Sequence, residues 1–189
     1  LRGEAGCAAD VSDLNITGNN AAESVGIVIE GRGNTLSNVR AGYVTVGVRL
    51  EAGGNSLTNV HPLFAMASGQ YDKSIGFYDY NGDNFYYYCY SDQFRVGFCF
   101  GSECPSSLFN CWSWWWTGAG KEEYVMASEK KFNALVTNHK VGFSEGTKNV
   151  VLDEGEAGGV GFFSDIIGRK SRFPAEDAYE KHLRGIVFG

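Results

Sequence analysis

One pattern recurs along this chain: GIVIEGRGNTLSNV at Gly26 to Val39, VGVRLEAGGNSLTNV at Val46 to Val60, and IGFYDYNGDNFYYYC at Ile75 to Cys89. In each copy an asparagine follows the leading glycine by eight residues (Gly26 and Asn34, Gly47 and Asn55, Gly76 and Asn84). An apolar or aromatic residue follows it by ten (Leu36, Leu57, Tyr86). Successive copies begin 21 and 29 residues apart, a period at which self-similarity signals one unit stacked repeatedly rather than ordinary globular packing.

Each unit reads as short strands separated by turns. In Gly26 to Glu30 the inward set is Ile27 and Ile29, matched one unit later by Val48 and Leu50. A second strand follows around Leu36 to Val39 and Leu57 to Val60. Alternating βα units would need an amphipathic stretch of about ten residues or more in between, and the gap is too short and too polar. A first strand is expected over Val11 to Asn20, with Leu14 and Ile16 alternating with polar neighbours. A degraded fourth copy spans Val96 to Trp112, and Phe132 to Phe143 and Lys148 to Ile166 look like further ones. Asparagines at one phase can stack into a ladder, and Asn34, Asn55 and Asn84 are placed to do so. A second series, Asn38 and Asn59, gives way to Tyr88.

The 189 residues are expected to form one domain (1–189), itself part of a longer protein because neither end shows a clear cap. With 26 glycines and only 3 prolines, tight turns fall to glycine and asparagine. A formal charge of −6 with no basic stripe argues against a nucleic-acid partner. No apolar run is long enough for a helix to cross a membrane. Five cysteines (Cys7, Cys89, Cys99, Cys104, Cys111) lack metal-ligand spacing and read as free, mostly buried thiols. His139 and His182 have no companions at ligand spacing, so no metal site is expected.

The repeat resembles the right-handed parallel β-helix of the pectate-lyase-like superfamily, which contains polysaccharide lyases, family 28 glycoside hydrolases and phage tailspikes. The resemblance covers about Val11 to Ile166 and rests on G-I/V-x-I/L-E-x-x-G-N-x-L-x-N-V together with the HP, GFYD, GDN and YSDQ segments. It implies an all-β, single-stranded solenoid with loop insertions, an extracellular, cell-surface or virion-surface location, a polysaccharide partner, and trimers if the chain is tailspike-like. Superfamily catalytic motifs are missing: there is no NTD, DD, GHG and RIK series, and RFPAED at Arg172 to Asp177 lacks the second arginine of the lyase segment it resembles. No cofactor is expected; clustered aspartates leave calcium open, although no loop has the spacing of a dedicated calcium site.

Function is expected in the insertions His61 to Ser74, Trp112 to Lys131 and Ile167 to Gly185, the last containing a helix candidate at Pro174 to Leu183. Asp79 occupies the inward phase of Ile29 and Leu50, so either the strand turns early there or the carboxylate has a special environment. If Asp79, Asp92 and Glu103 share a face, they can supply the acid and base of glycoside hydrolysis, which needs carboxyls about 5 to 10 Å apart. Arg95 beside Asp92 is the candidate cation for a lyase, with a surface ion pair as its plain alternative. Trp112, Trp114, Trp115 and Trp116 cannot all point into one core, so some indoles must face outward as a sugar platform or a subunit interface, with Tyr90 and His61 as further substrate-binding candidates. The expected function is polysaccharide binding with cleavage of hydrolase or lyase type; the alternative is a non-catalytic structural module that oligomerises through its aromatic face.

Overall fold

The computed structural model describes residues 8–65, 69–102, 104–115, 122–128, 134–143, 149–152, 162–163 and 166–168. Among these the chain is nearly all β, in parallel sheets, with one short 3-10 turn at Tyr71–Lys73. The first sheet has six strands in the order β3 (Val25–Ile29), β5 (Val46–Leu50), β7 (Ile75–Asp79), β10 (Val96–Phe100), β13 (Glu122–Ser128) and β16 (Asn149–Leu152). Each pairs in parallel with its counterpart one repeat later.

The second sheet has twelve strands. Strands β1 (Asp10–Ser12) and β2 (Asn15–Thr17) both pair with β4 (Thr35–Gly42), and β4 pairs along its length with β6 (Ser56–Leu63). Beyond β6 the sheet divides into two branches. One runs through β8 (Phe85–Tyr87), β11 (Ser106–Phe109), β14 (Ala134–Thr137) and β17 (Phe162–Phe163). The other runs through β9 (Tyr90–Asp92), β12 (Trp112–Trp115), β15 (His139–Phe143) and β18 (Ile166–Gly168).

A left-handed residue stands at the place of the division, and at the same place within the unbroken β4 and β6. Asp13, Asn38, Asn59, Tyr88, Asn110 and Asn138 all sit in the left-handed region, with φ between 52° and 56°. Asparagine and aspartate tolerate that conformation because their short polar side chains bond locally. This bend is what the second asparagine series encodes. Its outer side chains also stack: Asn38 Nδ2 donates to Asp13 Oδ1 at 3.2 Å, Asn59 Nδ2 to Asn38 Oδ1 at 2.9 Å and Asn138 Nδ2 to Asn110 Oδ1 at 2.5 Å. The same bend at Asp13 splits the expected first strand into β1 and β2. Leu14 therefore turns outward, 41% exposed, while Ile16 packs on the core as expected and Val11 joins it.

The repeated glycine marks a close approach between the two sheets. A Cβ on Gly47 would meet Pro62 Cβ at 2.2 Å and the Gly76 carbonyl at 2.4 Å, neither of which can be displaced cheaply. One repeat earlier a Cβ on Gly26 would meet Ala41, and one repeat later a Cβ on Gly76 would meet Ser91. Small residues of the second sheet thus lie against glycines of the first.

Side chains of both sheets form one core. Its interior rows follow the register: Ile27, Val48, Phe77, Phe98 and Met126 in one, Leu36, Leu57, Tyr86, Leu108 and Val136 in another. Phe77 and Phe98 stack at 4.6 Å, and Tyr86 meets both edge-on. Each such buried side chain contributes about 1.5–3 kcal/mol by leaving water. A satellite cluster of Val44, Phe64, Tyr71 and Phe94 fills a separate corner. The buried ladder is also present: Asn34 Nδ2 donates to Asn55 Oδ1 at 2.9 Å, and Asn55 Nδ2 to Asn84 Oδ1 at 3.1 Å. The helix candidate at Pro174 to Leu183 lies outside the described residues.

Candidate functional site

The outward residue two positions after each left-handed bend faces its equivalents in the neighbouring repeats. This rule places Asn15, Arg40, His61, Tyr90, Trp112 and Lys140 in one row across β2, β4, β6, β9, β12 and β15. Leu63, Asp92 and Trp114 form the next outward row. His61 therefore stands inside β6, paired with Arg40, rather than opening a loop. It missed assignment to a strand because the bend at Asn59 breaks the in-and-out alternation just before it.

The rings of the first row stack along the sheet. His61 and Tyr90 lie 4.3 Å apart at 25°, and Tyr90 and Trp112 lie 4.9 Å apart at 26°. Tyr90 thus has a ring on each side, since β9 lies between β6 and β12. It offers its edge and hydroxyl rather than a free face. Trp112, 39% exposed, ends the stack, and Trp114 stands at 87° to it. The perpendicular indole gives the face a second orientation of aromatic surface.

Asp92 joins the two rows. Its Oδ2 lies 3.2 Å from His61 Nε2, with the side chains only 15% and 27% exposed respectively. Its other oxygen, Oδ1, is buried with no hydrogen-bond partner among the described residues. Burial, then the charge and hydrogen bonding of Asp92, push the Tyr90 phenol well above its ordinary range, so it stays protonated as a donor.

Asp79 belongs elsewhere. Register is kept through β7, where Asp79 pairs with Leu50 on one side and Phe100 on the other, so the strand does not turn early. The carboxylate faces the interior at 1% exposure. It accepts from Gly82 N at 2.8 Å, Asn84 Nδ2 at 2.9 Å, Tyr86 OH at 2.8 Å and Ser106 Oγ at 2.6 Å. Burial pushes its carboxyl above the usual carboxylate range, and those hydrogen bonds pull against the rise. The arrangement terminates the buried ladder: the next repeat has Ser106 where an asparagine would accept, so Asn84 Nδ2 turns to Asp79. Asp79 and Asp92 lie on different sheets, one facing in and one facing out, and do not form a carboxyl pair on one face.

The remaining candidates separate. Trp115 is 1% exposed and packs in the core, with Nε1 donating to the Phe94 carbonyl at 2.7 Å, so alternation along β12 leaves Trp112 and Trp114 to the surface. Arg95 Nη1 donates to the Asp72 carbonyl at 3.1 Å beside the 3-10 turn, while Asp92 is engaged by His61. Glu103 and Trp116 lie outside the described residues. Among the described residues no group of three or more His, Cys, Asp or Glu is placed to hold a metal ion. Asp79 is enclosed by protein donors, and Asp92 is held by His61. Cys89 and Cys111 are buried and free, Cys99 is buried, and Cys104 is exposed and free.

Arg40 and Lys140, both exposed and on either side of the ring stack, had not been singled out from the sequence. The signal was present, since each follows an asparagine of the outer series by two residues. Comparison of the chain with family models, curated proteins and solved structures finds no match.

Proposed function

We propose that this chain is a right-handed parallel β-helix that binds polysaccharide along the lateral face formed by β6, β9 and β12. The handedness follows the strong preference of parallel crossover connections. The observation that carries the binding assignment is the outward row of His61, Tyr90 and Trp112 with Trp114 beside it. Indoles in two orientations, next to a buried carboxylate oxygen and flanked by Arg40 and Lys140, offer apolar surface for sugar C–H groups and polar atoms for hydroxyls. Repeats about 4.8 Å apart make such a row extended, which suits a polymer better than a small molecule. A polysaccharide partner places the protein outside the cell or on a cell or virion surface.

The test is a panel of neutral and acidic polysaccharides, scored for binding by gel retardation and for cleavage by reducing ends and unsaturated products. Retardation by at least one polymer, lost in Trp112→Ala and Trp114→Ala, is expected. Absence of retardation across the panel counts against the reading.

A second reading has its own observation. Outward positions on β8, β11 and β14 carry Phe85 at 39% and Leu135 at 40% exposure, with Tyr87 and Phe109 stacked at 5.3 Å. Such an apolar strip suits association of a structural module with copies of itself, as in a surface fibre. Sedimentation over a range of concentrations separates the two, because a stable trimer favours this reading.

A further inference from the structure

We propose that His61 is a proton carrier for hydrolysis of ester groups on the bound polysaccharide, and that Asp92 is its positioning residue. The inference rests on the polysaccharide-binding reading of the same face. Three observations carry it. First, the 3.2 Å contact fixes the proton of neutral His61 on Nε2, where the carboxylate accepts it, and leaves the Nδ1 lone pair to act as base. Nδ1 has no hydrogen-bond partner among the described residues. Second, stacking on Tyr90 holds the ring plane, so the imidazole is oriented through both its edge and its face. Third, Asp92 is the one carboxylate at the outward positions of β2, β4, β6, β9 and β12.

The third observation selects the chemistry. Glycosidic hydrolysis of the common type needs two carboxyls flanking the bond. A single proton carrier suffices for an ester, because the same group works as base and then as acid. Water attacks the ester carbonyl carbon and forms the new C–O bond, and its proton passes to His61 Nδ1. The tetrahedral intermediate then expels the sugar oxygen, which takes the proton back from His61. The products are a free carboxylic acid and a sugar hydroxyl; His61 returns neutral and nothing is oxidised or reduced. Asp92 stabilises the transient imidazolium. The titratable or charged groups facing His61 are Asp92 and Tyr90 from β9 and Arg40 from β4.

The experiment incubates the full chain with acetylated xylan and with p-nitrophenyl acetate, measuring released acetate or nitrophenol from pH 4 to pH 9, alongside retardation by the same xylan. Expected are a rate that falls on the acid side, a loss of about 100-fold or more in His61→Ala, and a smaller loss in Asp92→Asn that appears in kcat rather than KM. A merely structural aspartate would not divide its loss between kcat and KM in that way. Thermal melting confirms that each variant is folded. Retardation without acetate release overturns the proposal and leaves the binding reading intact, whereas absence of both overturns the proposal and, where it extends across the panel, the binding reading too. Release that survives His61→Ala in a folded variant, or unsaturated products in place of acetate, also overturns it.

Discussion

Asp79 takes in β7 the interior position that Leu50 takes in β5, and the two are direct register partners. The exchange of an apolar for an ionisable residue is matched by Tyr86, which replaces Leu57 one row away and donates its hydroxyl to Asp79 at 2.8 Å. Asp79→Leu leaves the donors of Tyr86, Asn84 and Ser106 without their acceptor and is expected to cost about 3–5 kcal/mol. Adding Tyr86→Phe removes one stranded donor, so the double variant should be more stable than Asp79→Leu alone. Urea denaturation of the four proteins in the cycle checks the coupling.

The two asparagine series should respond differently to mutation. Asn55 is fully buried and accepts from both the backbone and the side chain of Asn34, so Asn55→Ala is expected to lose about 2–4 kcal/mol. Asn59 is exposed and holds φ at 52°, where its value is conformational. Asn59→Gly should change stability by less than about 1 kcal/mol, and Asn59→Val should cost more because a β-branched residue is strained there. Chemical denaturation of the three variants decides.

Gly47→Ala is expected to destabilise by about 1–3 kcal/mol through overpacking. The added methyl meets Pro62 and the backbone carbonyl of Gly76, neither of which is a flexible side-chain end. Pro62→Ala in the Gly47→Ala background should recover little of the loss, because alanine keeps the Cβ that the methyl meets at 2.2 Å, as measured by thermal melting.

His139 sets a pH dependence. It is fully buried against Ser113 at 3.0 Å, and burial lowers its pKa to about 3 from the ordinary 6.5. Between those values the unfolded chain binds a proton that the folded chain does not, so stability is complete above about pH 6.5 and declines as pH falls. The loss from pH 6.5 to 5.0 should reach up to about 2 kcal/mol. His139→Leu should flatten that slope, whatever its effect on stability at pH 7. Denaturation midpoints at pH 5.0 and 7.0 for both proteins make the comparison.

Much of the framework was legible because the repeat writes its own constraints. Gly26, Gly47 and Gly76 stand where small residues of the other sheet press close, and Ile27, Ile29, Val48 and Leu50 keep strict alternation. The left-handed bend was less legible, since Asn38 and Asn59 signal a stack as readily as a turn. Missing the bend made His61 look like a loop residue and turned Leu14 inward. The row from Arg40 to Lys140 depends on that phase, so its members were recognised singly, as a histidine, a tyrosine and a tryptophan cluster, and not as neighbours. Asp79 was visible as an anomaly, but its resolution required knowing that Ser106 ends the ladder and that Tyr86 reaches across.

The most direct test of the account follows tryptophan fluorescence and heat during titration with a polysaccharide retained in the panel. Wild type, Trp112→Ala, Trp114→Ala and Trp115→Ala are compared, each with its melting curve. The account predicts that the first two substitutions weaken binding about tenfold or more while Tm stays within about 2 °C, and that Trp115→Ala costs about 3–5 kcal/mol of stability. Unchanged affinity in both Trp112→Ala and Trp114→Ala would contradict it.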